Sequence, residues 1–251
     1  KAKQISTGQI VAVKLLKPPK GVNRKDYVFP MDHFEKEVLL YSKMNHPNIV
    51  KLLDKGITDK NEPFFVFEYI NGISLKDIII DEKLRTFSLV KEIMCQLLDG
   101  INHAFEKGII HCDLKPQNIM VLDEGLRKHV KILDFGTGTF SENDKYNQKK
   151  KIFQSGNIEG TPNYCSPEQL RGETPSIKSD LYSWGLILAE CLTGEMAIQG
   201  ESISHILQLQ LSNEHIPLPS YIIKHPVGSI LRKVLTKTPS LRAGDPKRIY
   251  Q

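Results

Sequence analysis

The sequence predicts an α+β molecule in two lobes, a small strand-rich one followed by a larger, mainly helical one. Before Asn71-Gly72 the apolar residues come in short β-branched and aromatic runs separated by turn residues. After that break they recur at helical spacing over longer stretches. With 251 residues, 40% hydrophobic and 25% charged, the chain is long enough to bury a sizeable core and has ordinary globular composition. The composition shift sets the lobes at residues 1–70 and 71–251, joined by a short hinge.

Each element has its own signal. Residues 9–16 (QIVAVKLL) are rich in Val and Ile and follow a Thr7-Gly8 turn, so they form a strand at the end of a hairpin. Residues 32–44 place apolar side chains at 34, 38, 41 and 44, a helical spacing, and Asp32 with Glu35 three residues later resembles a capping box. His46-Pro47-Asn48 ends that helix, and strands at 49–53 and 63–70 lead to the break. Beyond it, 89–106 is a long amphipathic helix with apolar residues at 90, 93, 97, 98, 101 and 105. Short strands at 119–121 and 130–133 flank a polar turn. Residues 137–165 form a long irregular stretch that carries Lys149-Lys150-Lys151, and such a loop inside a compact domain points to function. Helices follow at 176–192, 201–212 and 226–236.

Charge and cysteine usage exclude several classes. A net charge of +5 is too small to argue for nucleic acid. The four cysteines, at 95, 112, 165 and 191, stand singly with no CxxC pair, which argues against a disulfide framework or a zinc ribbon and for reducing surroundings. No apolar run approaches a membrane span; the best, 184–192, is interrupted by Glu190. The expectation is a cytoplasmic protein, with no nucleic-acid partner and no membrane segment in this stretch.

The chemistry lies in an ordered set of polar residues. Asp134-Phe135-Gly136 follows the apolar strand at 130–133, so its carboxylate emerges at a strand end, a usual place for a metal-binding Asp. Upstream, in His111-Cys112-Asp113-Leu114-Lys115-Pro116-Gln117-Asn118, an Asp is followed by Lys at +2 and Asn at +5. Taken singly, His111 reads as a packed core histidine and Asp113, Lys115 and Asn118 as a polar loop. Their order removes the ambiguity. Lys14 sits in Val11-Ala12-Val13-Lys14 on a strand and Glu37 on the next helix; Ser166-Pro167-Glu168 and Asp180 come after the DFG. With VAVK, HxDLKxxN, DFG and SPE in this order, nearly the whole chain resembles the eukaryotic-type (Hanks-type) Ser/Thr protein kinase family, most closely its bacterial members.

That resemblance implies a two-lobed protein-kinase-like fold, one catalytic domain that transfers the γ-phosphoryl group of ATP to Ser/Thr hydroxyls of protein substrates with Mg²⁺. Phosphoryl transfer needs positioning and charge neutralisation more than covalent work. By resemblance, Lys14 holds the α/β-phosphates and Glu37 is its helix partner, with Glu35 ranked lower. Asp134 and Asn118 hold magnesium, since hard cations want oxygen ligands. Asp113 accepts or orients the hydroxyl proton, and Lys115 contacts the transferred phosphate. In the hinge, the backbone of Glu68 and Ile70 hydrogen-bonds adenine, Ala12 and Met120 sandwich the ring, and Phe67 is a bulky gatekeeper. Tyr41, Leu52, His111 and Phe135 take the family's packing-spine positions. Residues 160–168 resemble the peptide-binding loop, with Thr161 as a structural hydroxyl and Glu168 paired to Arg242.

Two departures stand out. The family's Gly-rich loop is absent from this stretch: the residues before the Lys14 strand hold only Gly8. Cys112 stands where kinases switched by loop phosphorylation usually carry Arg, so Thr139, Ser141 and Ser155 are not expected to be obligatory switches. The alternative of another class is a pseudokinase, a scaffold or nucleotide-sensing module of a larger protein. A small-molecule kinase is disfavoured by GTPxYxSPE, which shapes a peptide groove.

Overall fold

A computed structural model describes residues 1–18, 27, 29–83, 85–124, 127–136, 138–140 and 162–250. The expectations for Lys149 to Lys151, Ser141, Ser155 and Thr161 lie outside these residues. Strands β1 (Ala2–Lys3), β2 (Ile10–Leu15), β3 (Leu52–Ile57) and β4 (Pro63–Glu68) form an antiparallel sheet in the order β1-β2-β4-β3. β4 alternates strictly: Pro63, Phe65 and Phe67 are buried, while Phe64, Val66 and Glu68 are half-buried. The buried row faces helix α1 (Met31–Ser42), where Phe34 meets Phe65 with ring centres 4.8 Å apart.

Three expectations shift here. α1 begins at Met31 after Pro30, with no side-chain cap, so Asp32 lies inside the first turn instead of capping it. Glu35 turns outward to Lys55, at 2.6 Å, so no capping box forms. The strand expected at 49–53 is a single bridge, Ile49 to Ile132, followed by β3 from Leu52 to Ile57. β3 lies at the sheet edge and its Asp54-Lys55 is exposed, which hid it from an apolar-pattern reading.

After the break come β5 (Ile73–Ser74) and an unforeseen short helix, α2 (Leu75–Ile80), whose N-cap Ser74 accepts the Asp77 N–H at 3.2 Å. α3 (Phe87–Glu106) is capped by Thr86 and buries Val90, Ile93, Leu97 and Ile101 along one stripe. β6 (Ile109–Ile110) leads into the loop containing Asp113. β7 (Ile119–Glu124) and β8 (Arg127–Ile132) pair as a hairpin longer than its apolar core, with β5 at its side. β9 (Thr139–Phe140) pairs with β6. α4 (Pro167–Leu170) precedes α5 (Ile177–Thr193), which is buried from Ile177 to Cys191 apart from Lys178.

α5 is the axle of the helical lobe. It packs on α3 and on α8 (Pro226–Val234), and its Trp184 donates to the Met94 carbonyl of α3 at 3.0 Å. Gly194 ends it with φ of 85°, a left-handed C-cap that glycine adopts without strain. Helices α6 (Ile203–Leu211), α7 (Ser220–Lys224) and α9 (Pro246–Tyr250) complete the lobe. The buried Arg242 guanidinium grips Glu168 at 2.6 and 3.0 Å, tying α4 to the segment before α9. No helix among the described residues is long and apolar enough to cross a membrane.

Candidate active site

Lys14 leaves the middle of β2, where its ladder partner is Phe65. Its ammonium lies 2.9 Å from Glu37 Oε1 and 2.7 Å from Asp134 Oδ1. Glu37 is on the buried face of α1, and Asp134 follows β8 at φ of 54°. Three separate elements thus meet at one cation. Burial opposes the charge on Lys14, but the two carboxylates outweigh it and hold its pKa above the ordinary lysine value. Burial likewise opposes the charge on Asp134, and Lys14 with the Gly136 N–H overcomes it, leaving the pKa below the ordinary carboxylate value. Glu37 is the residue that reaches Lys14, while Glu35 pairs with Lys55.

The loop between β6 and β7 gathers the second group. Lys115 Nζ donates to Asp113 Oδ2 at 2.6 Å. Asn118 Nδ2 donates to the Asp113 carbonyl at 3.0 Å and to Oδ2 at 3.2 Å. The main chain of this loop is set from below. Asp180, at the start of α5, accepts the N–H of His111 at 2.8 Å and that of Cys112 at 3.0 Å. Cys112 is held at φ of 69°, a conformation rarely adopted by a side-chain-bearing residue. Gln169 of α4 donates to the Cys112 carbonyl at 2.8 Å. Burial pushes the Asp180 carboxyl above its usual range, against the two amides that favour its charge. Burial, then Asp113, push the Cys165 thiol up to about 12, so it remains protonated beside the loop at neutral pH.

The two groups are tied together by short bonds. Leu133 N–H donates to the Asn118 carbonyl at 2.8 Å, and His111 Nε2 meets the Leu133 carbonyl at 2.9 Å. Phe135 is buried; its ring lies 4.4 Å from His111 and 5.7 Å from Tyr41, centre to centre. Its N–H donates to Tyr41 Oη at 2.9 Å. Leu52 packs half-buried against the same core.

A cavity of about 260 Å³ opens beside Lys14 and Asp134. Ala12 of β2 and Met120 of β7 line it, and so do Phe67, Glu68 and Ile70 of the hinge. Phe67 packs on Tyr41 with ring centres 4.9 Å apart, closing the inner end. The Glu68 N–H donates to the Lys51 carbonyl, and its carboxylate accepts from the Lys51 N–H and from Lys131, so this segment is fixed from outside the cavity. The Ile70 N–H has no protein acceptor among the described residues. The cavity is therefore apolar along its walls, with backbone groups at one edge and a cation between carboxylates at the other.

The donor set fits magnesium. Asn118 uses its amide nitrogen on Asp113, which leaves the amide oxygen for a cation, and Asp134 adds a carboxylate. One or two protein oxygens, with the rest from phosphates and water, is the usual Mg²⁺ arrangement. Sequence reasoning noted Asp180 only as the start of a helix and gave Gln169 no part. The signal for Asp180 was a carboxylate in the first turn of a largely apolar helix, where burial demands partners.

The protein kinase domain family model matches residues 1–250. Among curated proteins the chain is similar to a probable serine/threonine-protein kinase of Clostridium perfringens, 32% identical over 99% of this chain and 35% of that protein. It is 34% identical to a probable serine/threonine-protein kinase PknB of Bifidobacterium longum, over 84% of this chain and 30% of that protein. It is 31% identical to the serine/threonine-protein kinase PknB of Mycobacterium tuberculosis, over 96% of this chain and 38% of that protein. The chain thus spans about a third of the length of these relatives.

Proposed function

Because the chain belongs to the protein kinase domain family, we propose that it transfers the γ-phosphoryl group of ATP to serine or threonine hydroxyls of protein substrates. The observation that carries this reading is Lys14 held between Glu37 and Asp134 at the mouth of an apolar cavity. In this proposal residues 1–70 and 71–251 act as two lobes closing on the nucleotide. Ala12 and Met120 flank the adenine, the Glu68 carbonyl and Ile70 N–H bond its edge, and Phe67 limits the depth of the pocket. Lys14, oriented by Glu37, neutralises the α/β-phosphates.

Asp134 and Asn118 would hold magnesium, which when bound neutralises phosphate charge. Asp113 accepts the hydrogen bond of the substrate hydroxyl and takes its proton as the oxygen–phosphorus bond forms and the bond from the γ-phosphorus to the β,γ-bridging oxygen breaks, releasing ADP. Lys115 contacts the transferred group in this reading, which its 2.6 Å bond to Asp113 supports. The bacterial serine/threonine kinases to which the chain is similar support the substrate class. The pseudokinase alternative gains no support, because every polar residue of the proposed site is present.

Asp113→Asn and Asp134→Asn test the assignment. Asp113→Asn is expected to abolish transfer to a generic protein substrate while calorimetry still shows ATP binding. Asp134→Asn is expected to lose both, since its carboxylate serves the metal. Near-normal turnover in Asp113→Asn would overturn the reading.

A further inference from the structure

His46, in the turn after α1, stacks on His103 of α3, with ring centres 4.9 Å apart and planes 27° from parallel. Neither ring belongs to the site described above. His46 Nδ1 accepts the Asn48 N–H at 3.2 Å, so in this arrangement Nδ1 carries no proton. Protonating that ring would set one N–H against another. His103 Nε2 is buried and has no hydrogen-bond partner among the described residues, so a charge on that ring would be poorly compensated. Two cationic rings in stacking contact would also repel each other.

The turn is the anchor of α1. Asn48 is buried; its side chain donates to Gln96 Oε1 of α3 and to the Val130 carbonyl of β8, both at 2.9 Å. Ile132 N–H donates to the Asn48 carbonyl at 2.8 Å, and Val50 N–H to the Ile132 carbonyl at 2.9 Å. Through these bonds α1, with Glu37 on its buried face, is tied to the helical lobe.

We infer that the His46–His103 stack is a proton-operated latch: protonating either ring loosens the Asn48 anchor and frees α1, weakening the hold of Glu37 on Lys14. This rests on the proposed role of that pair in nucleotide binding. The charged surroundings are mixed. Around His46, burial, His103 and Lys131 of β8 disfavour the cation and Asp99 of α3 favours it; the balance lowers its pKa. Around His103, burial and Lys107 disfavour the cation and Glu106 favours it, again with a lowered pKa. Glu106 is itself engaged by Lys247 of α9 at 3.0 Å and by Asn102 at 3.1 Å, which tempers its pull.

The direction follows from linkage. Both rings are held neutral in the folded protein, so the unfolded chain binds more protons near and below the ordinary value of 6.5. The anchor is at full strength above that value and weakens as the pH falls from it toward the depressed folded values. The latch is closed near neutrality and opens in mild acid.

The test reads the latch without relying on turnover. Amide hydrogen exchange is followed across α1 and the 43–50 turn at pH 7.5 and 5.5, corrected for intrinsic rates, in the parent chain and in His46→Asn, His103→Phe and the double variant. Asn at 46 can still accept the Asn48 N–H, and Phe at 103 keeps a stacking ring. The parent is expected to lose about tenfold in protection in acid, because a ring kept neutral when the latch is closed is biased about tenfold between its ordinary value of 6.5 and pH 5.5. The double variant is expected to change less than about twofold, judged by the same conversion. NMR titration of the ring protons in the parent should give both midpoints below the ordinary value, and His103→Phe should raise that of His46. Equal acid sensitivity in the parent and folded variants would overturn the inference, and ordinary midpoints in the parent would overturn it whether or not any variant folds. Loss of phosphoryl transfer with this exchange pattern intact would count against the proposed function, not the latch.

Discussion

At the residue scale, Gly136 shows how little room the charge cluster leaves. A Cβ built there would lie 2.9 Å from Asp134 Oδ1 and 3.1 Å from Lys14 Nζ, with Glu37 Oε1 at 3.5 Å. The first two contacts are too close for an undisturbed cluster, so an alanine must displace the carboxylate or the ammonium. Gly136→Ala is expected to leave the fold intact and lower kcat/KM about 10²-fold, the scale associated with misplacing a reacting group by about 1 Å. Steady-state kinetics at saturating magnesium, with circular dichroism as a check on folding, measures it. Activity within a few-fold of the parent would mean that the cluster is looser than its distances imply. The identity of this glycine was plain in the DFG triplet, but its reason was not. That reason is a contact among residues 14, 37 and 134, which lie far apart along the chain.

At the scale of elements, α1 is joined to the DFG segment by a buried hydrogen bond from the Phe135 N–H to Tyr41 Oη. Burial, first, and the nearby Glu37 and Asp134 keep the phenol protonated by raising its pKa far above the ordinary value. Tyr41→Phe would leave the ring contacts with Phe67 and Phe135 in place and strand the Phe135 N–H. The expected loss is about 1–3 kcal/mol of stability, the usual cost of an unsatisfied buried donor, with weaker ATP binding because Asp134 is the adjacent residue. Urea unfolding and calorimetry check the two effects; unchanged stability would show that another acceptor takes the N–H. Elements of this kind were legible in the sequence where burial imposed a period. The stripe of α3 follows directly from its apolar residues, whereas β4, an unbroken apolar run from Pro63 to Phe67, was legible as a strand but not in which of its faces is buried. β3 and α2 were not legible in that way. β3 is an edge strand with charges on its exposed positions, and α2 is a six-residue helix fixed by its Ser74 cap and tertiary contacts rather than by a periodic run. The polar residues of the candidate site were named from their order along the chain. Asp180 and Gln169, which support the Asp113 loop through its main chain, have no pattern that order alone reveals.

At the scale of the whole molecule, the Arg242–Glu168 pair is the buried cross-link of the helical lobe. Both residues are 3% exposed, and Arg242 also donates to the carbonyls of Thr236, Lys178 and Lys237. Burial opposes the Glu168 charge, and Arg242 outweighs it, lowering the pKa below the ordinary value. The pair therefore contributes fully above the unfolded carboxylate value of 4.5 and is lost as the pH falls through the lower folded value. Arg242→Met should cost roughly 3–5 kcal/mol, since it strands a buried carboxylate. Adding Glu168→Gln to it should recover part of that loss. Thermal unfolding of the single and double variants at neutral pH measures both, and an additive pair of effects would show that the two side chains are not coupled.

Asp180 carries a further consequence, one for ancestry rather than energy. Both of its oxygens hold main-chain amides, those of His111 and Cys112. The main-chain course of the Asp113 loop is therefore held from α5, with Gln169 of α4 beside it, while the Cys112 thiol turns to the Ile110 carbonyl at 3.7 Å. A descendant that exchanged cysteine for arginine at 112 would keep both amide bonds, which the main chain makes, while giving up the Sγ contact with the Ile110 carbonyl. At 180 it has no such freedom. Position 112 joins that hold through its amide, which every residue but proline supplies, whereas position 180 joins it through the carboxylate itself.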